Sequence, residues 1–313
     1  MTIPGDLPVL VYDVGGSHVS AARCLRNSWT LDRVCSVVHA SGLTADGFFQ
    51  LLYSLGIQAL GDAGPVGGAQ LAMPAPFDYE TGISRMKHKL PYLCGVDLRK
   101  GLATRFGWRS GQVRFIHDAS AFLLGEITAG AADGALRAVG ITLGTGIGSG
   151  FSLSGHLLTH GFGIPPGGEI WNLPFAGGIL EDFLSARAIQ REYLQRTGVH
   201  REVVSLAAAA AEDVAALETF ADFGRHLGQA LRATLSDFAP DVVVLGGGIS
   251  QAAPLFFQYA RSELAGLSFR LEVSAMRDCA ALVGAAVAWF NRGSVGHESD
   301  PESVSAAAQN NGA

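Results

Sequence analysis

Pro8-Val-Leu-Val-Tyr-Asp13-Val-Gly15-Gly16-Ser17 is a short apolar run that breaks at a pair of glycines, after which His18-Val-Ser-Ala-Ala-Arg-Cys-Leu25 resumes with strand character. Ala138-Val-Gly-Ile-Thr-Leu143 repeats the pattern. It runs into Gly144-Thr145-Gly146-Ile-Gly148-Ser-Gly150 and resumes at Phe151-Ser-Leu-Ser-Gly-His-Leu-Leu158. Each copy reads as a hairpin folded at a glycine turn. Two copies in one chain indicate an internal repeat with one copy per domain. A chain of 313 residues also exceeds the size at which a single core keeps growing, so two domains with a cleft between them are expected.

Outward from the hairpins, helix and strand patterns alternate. The pattern predicts a helix over 45–60, a strand over 69–73, the loop Pro74-Ala75-Pro76, a strand over 113–116 and an apolar helix over 119–129. Helices are expected over 180–196 and across the alanine-rich stretch 203–238, then a strongly apolar strand over 241–245. A short strand over 269–273 and a helix over 279–289 follow. Hairpins beginning each half exclude a purely parallel doubly wound sheet, which leaves two α/β domains with mixed sheets. Residues from about 293 to 313 are small and polar, and predict a mobile tail.

Composition removes several classes of function. The 48% apolar content describes a globular chain, and the net charge of −6 comes with no run of lysine or arginine longer than a pair. Phosphate neutralisation needs a concentrated basic patch, so no nucleic-acid partner is expected. No stretch of about 18 uncharged apolar residues appears, nor a basic and apolar leader at the start. A cytoplasmic protein with no membrane partner is expected. Cys24, Cys35, Cys94 and Cys279 lack metal-type spacing and read as reduced core thiols.

A nucleoside triphosphate requires donors along its phosphates and a carboxylate on the magnesium side. Asp13-Val-Gly15-Gly16-Ser17 offers both, although Asp-x-Gly-Gly also suits an ordinary turn. The second loop, Gly144-Thr145-Gly146, approaches dinucleotide spacing. Its context fails that reading, because a strand rather than a helix follows and no acid sits at the end of a second strand. Val242-Val-Val-Leu-Gly246-Gly247-Gly248-Ile-Ser250 ends an apolar strand against glycines, as an adenosine would need, or else opens a helix capped by Ser250. Asp118, at a strand-to-helix junction, reads equally as a base and as a helix cap; Ala121 occupies the place where a capping box wants Glu or Gln.

The order of these pieces from about residue 9 to 288 resembles the ROK family of bacterial sugar kinases and repressors, within the actin-like ATPase superfamily. Asp13-Val-Gly-Gly-Ser looks like its first phosphate motif, Leu143-Gly-Thr-Gly-Ile-Gly-Ser-Gly its second, and Val244-Leu-Gly-Gly-Gly-Ile-Ser with Leu282-Val-Gly-Ala-Ala its adenosine side. Met73-Pro-Ala75-Pro and Lys89-Leu-Pro are similar to its sugar loops, and His117-Asp118-Ala-Ser-Ala-Phe-Leu-Leu-Gly-Glu126 to its Asn-Asp-Ala-Asn segment. The resemblance implies two actin-like (ribonuclease H-like) α/β domains flanking a nucleotide and sugar cleft. Residues 1–118 would form the smaller one and 119–292 the larger, with the last helix packing back on the first. It implies ATP and Mg2+ as cofactors, Asp118 as the base on a sugar hydroxyl, and Asp13 on the metal through water. Ala75, His117, Glu169, Asn172 and Glu181 would contact a neutral sugar, and a homodimer is the family's expectation.

Three departures stand out. His117 and Asn172 occupy positions where the family has Asn and His, an exchange that would keep a donor set around the sugar and make His117→Asn act on sugar KM more than on kcat. The cysteine-rich zinc loop between Asn172 and Glu181 is missing, so no structural zinc is expected, and Trp171 could underlie a sugar ring. The first phosphate motif lies so near the start that a repressor's helix-turn-helix is not expected. A sugar-binding sensor without turnover is the alternative, and an acidic acceptor is disfavoured by Glu169 and Glu181 beside Asp118.

Overall fold

The computed structural model describes residues 7–26, 28–39, 42–62 and 64–291; the expected tail lies outside the described residues. The first half holds β1 (Val9–Val14), β2 (His18–Cys24), β3 (Leu31–Val38), α1 (Ala45–Leu60), β4 (Ala69–Met73), the small hairpin β5 (Phe77–Asp78) and β6 (Ile83–Ser84), α2 (Leu98–Phe106) and β7 (Val113–His117). Then come α3 (Asp118–Ala129), β8 (Arg137–Leu143), β9 (Ile147–Leu153), β10 (His156–Leu158), the hairpin β11 (Pro174–Phe175) and β12 (Gly178–Ile179), α4 (Ala186–Thr197), α5 (Val203–Ala209) and α6 (Val214–Leu235). The chain finishes with β13 (Val242–Gly246), α7 (Ala253–Glu263), β14 (Arg270–Val273) and α8 (Cys279–Phe290).

The two large sheets have the same plan. One runs β3-β2-β1-β4-β7 and the other β10-β9-β8-β13-β14. In each, the first three strands form an antiparallel meander, and the last two add in parallel to the first strand. The glycine hairpin is therefore the same structural joint in both lobes, β1 to β2 and β8 to β9.

Alternation along the strands explains what covers each face. In β1, Leu10, Tyr12 and Val14 pack with Phe48, Leu52 and Leu55 of α1, which Thr44 caps by accepting from the Gly47 amide. Val9 and Val11 point the other way, onto Leu282, Ala285 and Ala286 of α8. The second lobe mirrors this. Val139, Ile141 and Leu143 of β8 enter the core beneath α6 and α7, whereas Ala138, Val242 and Val244 pack against Phe122 and Leu123 of α3. Each central helix thus leaves one sheet and covers the other.

That exchange requires α3 and α8 to cross at very close range. A Cβ on Gly284 would lie 1.7 Å from the Ala121 carbonyl oxygen, and one on Gly125 would lie 2.0 Å from that of Ala280. Glu126, fully buried one residue on, is satisfied by the Ala131 amide at 2.9 Å and by the Ser274 hydroxyl, which ties α3 to the segment entering α8.

Gly284→Ala forces the helices apart and is expected to cost about 1–3 kcal/mol, or several degrees of thermal midpoint. Gly111→Ala, with nothing within 4 Å of the new methyl group, serves as the control and should leave the midpoint unchanged. Thermal unfolding of the two variants checks the crossing.

Candidate functional site

Asp13 lies near the end of β1 on the same face as Val9 and Val11, so it looks towards the space beneath α8. The turn after it is closed by the Gly15 amide donating to the His18 carbonyl at 2.9 Å, and Gly16 and Ser17 at its tip are exposed. In the second lobe the Gly144 amide donates to the Gly146 carbonyl at 2.9 Å, placing Thr145 at that tip. The two tips meet across the cleft: a Cβ on Gly16 would stand 3.7 Å from Thr145 Oγ1. The fold thus brings the first and second glycine loops together.

The third glycine stretch divides by cause. A side chain on Gly246 would strike the Phe122 ring, and one on Gly247 the Leu143 backbone, so packing accounts for both. A Cβ on Gly248, like one on Gly144, would meet no atom of the described residues within 4 Å, which leaves the backbone there open to a ligand. Ser250 caps no helix; its hydroxyl donates back to the Gly247 carbonyl at 2.7 Å and braces the turn.

Asp118 is the first residue of α3 and His117 its N-cap, without a capping hydrogen bond from its side chain. The capping reading of Asp118 is therefore replaced by a more specific one. Its Oδ1 accepts from the Ala119 amide at 2.7 Å and faces His117 Nε2 at 3.1 Å. A carboxylate only accepts, so Nε2 carries the hydrogen, and Nδ1 is left to take the Ser120 hydroxyl across a long 3.5 Å contact. Oδ2 makes no hydrogen bond among the described residues. One oxygen is held and the other is available.

Tyr79, which the sequence did not single out, connects the remaining groups. Its ring meets the His117 ring edge-on at 6.1 Å, and its hydroxyl donates to the Met73 carbonyl at 3.1 Å, bracing the start of the loop that carries buried Pro74 and half-buried Ala75. Burial raises the pKa of its phenol, and the carboxylates of Asp118 and then Glu169 raise it further, so both acids act on one ring. Glu169 Oε2 accepts from Trp171 Nε1 at 2.7 Å, which gives Trp171 a positioning contact. Glu181 lies beneath the second glycine loop, with Oε2 against Gly146 and Oε1 paired to Arg187 at 3.2 Å. Asn172 is exposed, and among the described residues no hydrogen bond joins its side chain to His117.

The loop between Asn172 and Glu181 is held by aromatic edges. Phe175 and Phe183 contact each other at 5.3 Å, and both contact His226 of α6, at 6.0 and 5.3 Å. Among the described residues no group of three or more His, Cys, Asp or Glu side chains gathers as a metal site.

Burial pushes the Asp13 carboxyl from its ordinary 3.8 to about 7, and the negative charges of Asp118 and Asp278 add to the rise. Two negative charges acting on a third carboxylate disfavour its ionisation unless a positive charge lies near it.

The chain belongs to the ROK family, whose model matches residues 12–292. It is 33% identical over 221 residues to a glucokinase of Thermotoga maritima, an alignment spanning 62% of this chain and 68% of that one. It is 27% identical over 261 residues to an N-acetyl-D-glucosamine kinase of Aliivibrio fischeri, covering 76% and 83%. Among solved structures, a ROK hexokinase from Thermus thermophilus superposes with a TM-score of 0.72 at 26% identity, covering 90% of this chain and 97% of that chain. A ROK family glucokinase from Streptomyces griseus, in complex with glucose and AMPPNP, shares the fold with a TM-score of 0.76 at 22% identity, covering 90% and 98%. Among the described residues no helix is long and apolar enough to cross a membrane.

An acid whose folded-state pKa lies above its unfolded value holds its proton more tightly when folded. Its contribution to stability is therefore complete below about pH 4 and is lost as pH rises through about 7. The urea midpoint of the metal-free protein is expected to fall across that window, and Asp13→Asn to flatten the fall. An identical slope in the variant contradicts the assignment.

Proposed function

We propose that the protein phosphorylates a hydroxyl of a neutral hexose or N-acetylhexosamine, with Asp118 as the base. The observation that carries this reading is the division of labour within Asp118: Oδ1 is engaged by Ala119 and His117, and Oδ2 is unpartnered among the described residues, in a carboxylate whose charge, like that of Glu169, reaches Tyr79. Magnesium-ATP supplies the phosphoryl group. Asp118 Oδ2 orients the acceptor hydroxyl and takes its proton as the hydroxyl oxygen bonds to phosphorus and the bond to the ADP oxygen breaks. A loose transition state needs little more from a base.

Backbone amides at Gly15, Gly16 and Ser17 and at Gly144, Thr145 and Gly146 would hold the phosphates from the two lobes. Gly248 would lie against the adenosine, with Gly246 and Gly247 shaping the turn. Asp13 would stand on the metal side, through water. Ala75, Glu169, Asn172 and Glu181 would meet the sugar, whose neutral hydroxyls suit an acidic pocket. Residues 1–118 and 119–292 are proposed as the two domains, closing on the substrates and excluding water. Relatives named as glucokinase and N-acetyl-D-glucosamine kinase support the acceptor class. A cytoplasmic setting is supported by four free cysteines, and a homodimer by the family resemblance.

His117 is proposed to act through Asp118, a role different from the sugar contact expected of it. His117→Ala removes one hydrogen bond to a charged group and is expected to lower kcat about 10-fold or more, with a smaller change in sugar KM. A change in sugar KM alone would move His117 onto the sugar.

The direct experiment is ADP release from magnesium-ATP against a panel of neutral hexoses and N-acetylhexosamines. Turnover on at least one sugar, reduced about 10²- to 10⁴-fold by Asp118→Ala, is the expected result. Absence of turnover on every sugar, or full activity in the variant, contradicts the reading.

A further inference from the structure

We infer that His39 is the positioning residue of the first glycine loop, and that it aims the loop's amides into the cleft. The inference rests on the reading of that loop as a phosphate cradle. His39 follows the last residue of β3 and is 7% exposed. It grips the turn at two points: its amide donates to the Ser17 carbonyl at 3.0 Å, and its Nε2 lies 3.2 Å from the Gly15 carbonyl. A carbonyl only accepts, so Nε2 bears the hydrogen. Nδ1 is buried without a partner among the described residues, so the single bond to Gly15 decides how the ring is set, with the edge of Phe48 packed 6.2 Å away.

Peptide planarity turns this anchorage into a function. In a trans peptide the N–H of one residue points opposite to the C=O of the residue before it. With the Gly15 carbonyl drawn to His39, the Gly16 N–H must point the other way. Gly16 is the residue whose missing side chain faces Thr145 of the opposite lobe. One imidazole therefore presents the Gly16 donor where a phosphate oxygen would lie, while an exposed two-residue tip without it could rotate that peptide freely. The role asks for a donor at the Nε2 position and for no charge.

The test is calorimetric binding of magnesium-ATP to the intact protein and to His39→Gln, His39→Asn and His39→Phe, with thermal midpoints measured alongside. The Gln amide nitrogen reaches about where Nε2 stands; the shorter Asn amide does not, and Phe has no donor. Gln is expected to bind within about 3-fold of the parent, and Asn and Phe about 10-fold more weakly, with sugar KM moved less than about 2-fold. Should Phe fail to fold, the Gln and Asn pair carries the comparison. Asn binding as tightly as Gln, or sugar KM rising as much as that for ATP, overturns the inference. Sugar turnover by the parent protein is scored separately, so failure of the kinase reading cannot be mistaken for failure of this one.

Discussion

Two helices that exchange partners can do so only where neither carries a side chain at the crossing. Gly125 and Gly284 provide that contact, each against a carbonyl of the other helix. Ordinary helix pairs keep axes about 8–10 Å apart, and even one methyl group here would collide with backbone rather than with a side chain that could turn aside. Because α3 grows from the first sheet yet rests on the second, and α8 does the reverse, the two lobes share their covering layer. Asp118 begins α3, and its position is therefore set by contacts to both halves of the molecule.

From that constraint follows the electrostatic character of the cleft. Asp13 lies one residue before the end of a strand whose outward face α8 covers, so burial and the charges of two other acids oppose its ionisation. Such an arrangement disfavours the ionised carboxylate unless a positive charge is brought near it. The proposed acceptor side carries Asp118 and Glu169, whose charges would suit hydroxyl groups and repel anionic acceptors. Tyr79 packs edge-on against His117, which bonds Asp118, and the Trp171 indole donates to Glu169, so each acid has an aromatic brace, one of them indirect.

Much of this was legible in the chain. The helix over 45–60 and the strand over 69–73 coincide with α1 and β4, where strong periodicity and flanking Thr and Gly mark the ends. The paired glycine hairpins foretold the repeat, and the sheets carry it strand for strand. The helical stretch 203–238 is broken at Asp213, which caps α6 through the Ala216 amide, because an Asp side chain offers the backbone an alternative to continuing. The helix expected over 180–196 begins only at Ala186, after Ser185 caps it, with a single tighter turn before. Strand β3 had no clear signal: its Val34-Cys35 and Val37-Val38 pairs spoil alternation, and it exists by pairing with β2 at a sheet edge. His39 and Tyr79 were invisible for a related reason. A lone ring in a connecting segment has no pattern, and only the fold shows that it reaches a carbonyl or an acid some distance away in sequence.

The central claim is that Asp13 is a crowded acid whose charge is called out by the ligand of the glycine cleft. It is tested most directly by the heat of magnesium-ATP binding at about pH 7 in buffers of different ionisation enthalpy. An acid with a pKa of about 7 must release about half a proton when binding ionises it fully, so the measured heat should vary with the buffer, and Asp13→Asn should abolish that variation. Heats that are the same in every buffer, or a proton release that survives in the variant, would contradict the account.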